Sequence, residues 1–112
     1  MDTSFILTCI KQKIDFFEDV PFMGLKIFVP LQVLKEVEGL AKSRDEAKLA
    51  LKIFDKNKFE TIDLKGSDTD KAIIEYAKKN PDVVVATLDK EIKLMTCNEK
   101  LVIVRKKILD IV

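Results

Sequence analysis

The sequence predicts an α/β fold, a three-layer α/β/α sandwich built on a central parallel sheet. Three observations carry that reading. Apolar patterns with helical spacing alternate along the chain with short strand-like runs. Residues 82–88 and 101–104 are apolar almost throughout, as strands covered on both faces are. Asp2, Asp70 and Asp89 stand at helix starts or strand ends, positions that gather along one edge of such a sheet.

The elements follow in order. Residues 4–18 place Phe5, Ile6, Cys9, Ile10 and Ile14 at helical spacing, which predicts one or two helices ended by Pro21. A short apolar strand at residues 25–29 stops at Pro30. Two amphipathic helices come next, over 30–41 with Val33, Leu34, Val37, Leu40 and Ala41, and over 44–56 with Ala47, Leu49, Ala50, Leu51, Ile53 and Phe54. Residues 59–64 alternate apolar and polar and predict a strand near the sheet edge. A helix over 68–79 ends before Asn80-Pro81, and the strand 82–88 leads into a short helix over 89–95 and the last buried strand, 101–104. No repeat, linker or low-complexity segment interrupts residues 1–112, so one domain is expected.

Composition narrows the function classes. Charged residues are 35% and hydrophobic residues 47% of the chain, which excludes disorder. The net charge is only +1, so nucleic-acid binding has to rest on local patches. Lysine provides 18 of the 20 basic residues, with Arg44 and Arg105 as the exceptions, which favours backbone recognition over base reading. Cys9 and Cys97 are far apart and there is no histidine, so a zinc site is excluded and both cysteines read as small semi-buried residues. No secretory signal and no apolar run long enough to span a bilayer is visible; a cytoplasmic protein is expected.

The chemistry concentrates in four acids, each with an ordinary alternative. Asp89 follows the buried strand through Thr87-Leu88, yet Thr87 or Asp89 could simply cap the next helix. Ser67-Asp68-Thr69-Asp70 reads as a capping box with Ser67 as cap, or with Asp68 exchanging roles with Asp70, and for Asp70 alone capping is the better local explanation. Glu36 and Glu38 lie at equal angles on either side of their helix's apolar stripe, so helical geometry does not choose between them. Asp2 suits an N-cap, and only Met1 precedes it: either its strand is very short or the sequence starts later than its relatives. If the four acids converge they need a cation, and all-oxygen ligands suit Mg²⁺ or Mn²⁺. Lys42, Arg44 and Lys48 are candidate contacts to a phosphate backbone beside them. Phe16, Phe17 and Phe22 read as core.

With these motifs assembled, the whole chain resembles a PIN domain, the nuclease domain of VapC-type toxins and ribosome-processing endonucleases. The matching runs are Asp2-Thr3-Ser4, Glu36 within Lys35-Glu36-Val37-Glu38-Gly39-Leu40, Asp70-Lys71-Ala72-Ile73 and Thr87-Leu88-Asp89, in order and at fitting intervals. They look most like those of archaeal members. The resemblance implies strand order 3-2-1-4-5, favours Glu36 over Glu38, and makes Asp2, Glu36, Asp70 and Asp89 both catalytic residues and ligands of Mg²⁺ or Mn²⁺, with Ser4 and Thr87 in support. Leu88 departs from the pattern, standing where asparagine is common. The expected activity is metal-dependent cleavage of RNA phosphodiesters, as a toxin with an antitoxin partner or as an RNA-processing enzyme. The competing expectation is a binding or scaffold module with an idle metal site. A homodimer through the apolar helices at residues 4–18 or 44–56 is also expected.

Overall fold

The computed structural model describes residues 1–105 and 107–112. Six helices and five strands are present among them: α1 (Thr3–Lys11), α2 (Phe16–Phe22), β1 (Phe28–Pro30), α3 (Leu31–Leu40), α4 (Asp45–Lys56), β2 (Glu60–Ile62), α5 (Thr69–Lys79), β3 (Val85–Ala86), α6 (Lys90–Met95), β4 (Lys100–Val104) and β5 (Ile108–Ile111). The alternation is the expected α/β one. Helices α1, α3 and α4 pack on one another, and α5 packs on α6.

The strands depart from a single parallel sheet. β1 pairs with β2 in parallel, and β3-β4-β5 form a second sheet in which β4 and β5 are antiparallel. Strand β5, which the apolar pattern did not single out, returns through a turn carrying Arg105 at φ 51°, and its Leu109 is buried against the core. Among the described residues the pairing gives two sheets, β1-β2 and β3-β4-β5, rather than one continuous sheet in the order 3-2-1-4-5. The Met1 amine donates to the Phe28 carbonyl at the β1 edge at 3.1 Å. The Asp2 N–H donates to the Ala86 carbonyl at the β3 edge at 3.0 Å. Met1 and Asp2 thus bridge the two edges, and an apolar cavity of about 270 Å³ lies beside them, lined by Phe28, Ile62, Ile73, Val84 and Leu101 among others.

Helix spacing accounts for most of the core. On α1, Phe5, Ile6, Cys9 and Ile10 are buried; on α4, Ala47, Ala50 and Phe54 are. The two helices turn these faces towards each other, leaving Leu49 as the half-exposed large apolar residue on α4. Phe16, Phe17, Phe54 and Phe59 close the core in an aromatic cluster with ring centroids 4.9–6.2 Å apart.

Three local expectations are corrected. Pro21 lies inside α2 rather than ending it; so near the C-terminus its missing N–H costs only one helical bond. Phe22 is 92% exposed, because it sits about 200° around the helix from buried Val20. Burial pushes the Cys9 thiol up to about 12, with Asp19 adding to the effect, so Cys9 is an inert core residue, whereas Cys97 is exposed rather than semi-buried.

At α5 the cap is Asp68, whose carboxylate accepts the Lys71 N–H at 3.2 Å; Ser67 caps nothing. Asp68→Ala is therefore expected to cost about 1 kcal/mol, or about 4 °C in Tm. Asp68→Asn should be near neutral and Ser67→Ala within about 0.5 kcal/mol, as thermal melts would show.

Candidate active site

Four elements bring their acids to one groove of about 250 Å³, lined by Asp2, Glu36, Asp70 and Asp89 together with Thr3, Ser4, Thr69 and Arg44. Each acid arrives by a different local route.

Asp2 is the N-cap of α1. Its Oδ1 accepts the Phe5 N–H at 2.9 Å and the Ser4 hydroxyl at 3.2 Å, and its Oδ2 accepts the Thr87 hydroxyl. It is 7% exposed, so three donors compensate the desolvation of its charge. Asp89 is the N-cap of α6, accepting the N–H groups of Glu91 at 2.8 Å and Ile92 at 3.2 Å. Capping and groove lining are thus not alternatives for these two residues. A cap occupies one carboxylate oxygen; the cited bonds of Asp89 all fall on Oδ1.

Thr87 joins the pair. Fully buried after β3, its hydroxyl donates to Asp2 and accepts the Asp89 N–H at 3.0 Å. One side chain therefore sets the spacing between an acid on α1 and an acid on α6.

Asp70 and Glu36 are held differently. Because Asp68 takes the α5 cap, Asp70 is released to line the groove from the first turn of that helix. Glu36 lines it from α3, one turn before Leu40, which shares the same wall. Glu38 lies about 200° around the helix from Glu36 and does not line the groove, which separates the two glutamates.

Of the supporting residues, Ser4 and Thr87 sit as described, and Arg44 lines the groove from the turn before α4. Lys42 and Lys48 do not line it; Lys48 lies 4.0 Å from Asp45 on α4. Thr3 and Thr69, which stand inside the Asp2-Thr3-Ser4 and Ser67-Asp68-Thr69-Asp70 runs with no expected role of their own, also line the groove. Each is the first residue of a helix that also presents a groove acid, which is the signal that marks them.

The electrostatics follow from the convergence. Partial burial first, and then the charges of Asp89, Asp2, Asp68 and Glu36, push the Asp70 carboxyl above the ordinary aspartate range. Among the described residues no three acids are grouped tightly enough to chelate one ion by themselves. The donor set nevertheless suits a hard cation that keeps part of its water shell. Thr3 lines the groove, and its hydroxyl is buried with no hydrogen-bond partner among the described residues, an unsatisfied polar group beside the acids.

The family model for a PIN-like domain matches residues 1–107. The chain is 36% identical over 116 aligned residues to Ribonuclease VapC4 of Methanocaldococcus jannaschii, covering 95% of this chain and 88% of that protein. Among solved structures it is similar to the PIN domain endonuclease Utp24, with a TM-score of 0.78 and 27% identity over 99% of this chain and 92% of that one. An acidic groove assembled from four separated segments, in a fold shared along almost the whole chain, has one family reading: the chain belongs to the PIN-like domain family.

Proposed function

We propose that residues 1–112 act as one catalytic domain, a divalent-metal-dependent endoribonuclease that hydrolyses RNA phosphodiester bonds. The observation that carries this reading is the meeting of Asp2, Glu36, Asp70 and Asp89 in a single groove. Similarity to a ribonuclease and to a PIN endonuclease supports it. A bound Mg²⁺ or Mn²⁺ would lower the pKa of water and neutralise charge developing on the phosphate.

This chain's residues provide the rest. Asp2 and Asp89, tied through Thr87, offer carboxylates at a set spacing on one side; Asp70 and Glu36 offer theirs from α5 and α3. Ser4 steadies Asp2, and Arg44 supplies the positive charge that holds a phosphate at the groove wall. With no histidine in the sequence, general acid–base work falls to these carboxyls and to water. The partner this chemistry implies is RNA. An antitoxin peptide laid over the same acids would make the protein a toxin, and its absence an RNA-processing enzyme.

Two experiments test the reading. RNA cleavage in Mn²⁺ should vanish with EDTA and fall at least about a hundredfold in Asp89→Asn, a substitution that keeps a good helix cap and so should not disturb folding. Cleavage that persists through both treatments would remove the metal mechanism.

The second concerns Asp70. Its folded-state pKa lies above that of the unfolded chain, so the native state holds the proton more tightly and stability falls as pH rises through that window. Asp70→Asn should then raise the metal-free Tm at neutral pH by about 1–2 °C, a small gain because solvent screens this exposed carboxyl. Mn²⁺ should stabilise the wild-type protein more than the variant, and equal shifts in differential scanning fluorimetry would exclude Asp70 as a ligand.

A further inference from the structure

We infer that a second groove, between α1 and the α3–α4 turn, is the track along which single-stranded RNA leaves the acidic site, with Lys11 holding a phosphate at its far end. The inference rests on the ribonuclease reading above. The groove has a volume of about 670 Å³ and adjoins the acidic one; Ser4, Leu7 and Arg44 line both.

Its wall on α1 comes directly from the sequence. Phe5, Ile6, Cys9 and Ile10 face the core, which leaves Ser4, Leu7, Thr8 and Lys11 along the opposite stripe of the same helix. From Ser4 to Lys11 that stripe runs about 10 Å. The facing wall carries Ser43 and Arg44. Arg44 stands at the N-terminus of α4 without a capping bond and, among the described residues, without an ion pair, so its guanidinium is available at the junction.

Hydroxyls, one arginine and one lysine make a surface for phosphate and sugar oxygens and carry little that distinguishes bases. Asp45 and Glu46 also line the groove. Both sit in the first turn of α4, where the helix dipole favours them, and Asp45 faces Lys48 at 4.0 Å. With Lys11 and Arg44 balancing Asp45 and Glu46, this groove lacks the net negative charge of the acidic one, and Arg44 beside the acids and Lys11 beyond them mark the path a polyanion can take.

The test is binding of labelled oligo-U and oligo-A to the full chain in EDTA, by fluorescence anisotropy across a salt series. Lys11→Ala should weaken both oligomers about fivefold and lower the salt slope by about 1, since a phosphate contact acts uniformly across sequences. Lys11→Arg should restore both quantities. Lys56→Ala, at the other end of α4, should change neither. Unchanged affinity in Lys11→Ala, or a loss confined to one base, would overturn the track. Hydrolysis of bis(p-nitrophenyl) phosphate by the wild-type protein with Mn²⁺ separates the two readings: if that hydrolysis is absent while the Lys11 effect holds, the catalytic proposal fails and the track stands.

Discussion

The buried hydroxyl of Thr87 is the interaction on which the rest of the site depends. It donates to Asp2 and accepts the backbone N–H of Asp89. The two acids it joins are 87 residues apart in sequence and belong to different helices. Asp2 in turn connects α1 to the end of β3 through its own N–H to Ala86. A local alternation of strand and helix thereby becomes one wall of the acidic groove. A threonine is suited to this position because one hydroxyl both donates and accepts while its methyl group packs in the core. The neighbouring Leu88 supplies no such bond, so the linkage rests on Thr87 alone at this point of the chain.

The same economy appears in the capping residues. Helix N-termini need acceptors, and acids meet that need; a groove carboxylate can therefore stabilise its own helix while presenting its other oxygen elsewhere. Asp2 and Asp89 do both. Asp70 is the exception, and the reason is local: Asp68 provides the cap two residues earlier. Freed of that duty, Asp70 is the acid whose proton affinity shows the strain of the cluster. Gathering like charges costs stability wherever no cation compensates them, so this part of the molecule carries a charge cluster that folding alone does not favour.

Basic residues complete the arrangement by position rather than by number. The chain's charges nearly cancel, yet Arg44 stands where two grooves join, and Lys11 marks the outer end of one of them. Lys42 and Lys48 fall outside both linings: of the α3–α4 turn only Ser43 and Arg44 line the second groove, and Lys48, on α4, sits beside Asp45 at 4.0 Å.

Much was legible in the sequence by itself. Apolar periodicity marked all six helices and the approximate places of four of the five strands, because burial repeats at the period of the backbone that carries it. Residue type at helix starts marked Asp2, Asp70 and Asp89 as special, although it could not separate capping from lining. Only tertiary structure decided the rest. Strand β5 became part of a sheet through its antiparallel pairing with β4, a matter of long-range hydrogen bonding that Ile108–Ile111 does not advertise. The division into two sheets, bridged by single hydrogen bonds from Met1 to Phe28 and from Asp2 to Ala86, is a matter of long-range pairing that no local pattern records. The choice of Glu36 over Glu38, the release of Asp70 by Asp68, and the entry of Thr3 and Thr69 into the groove all depend on which face of a helix meets which neighbour. Spacing along one helix specifies angles relative to its own axis; the direction in which that axis points is set by the packing of the others.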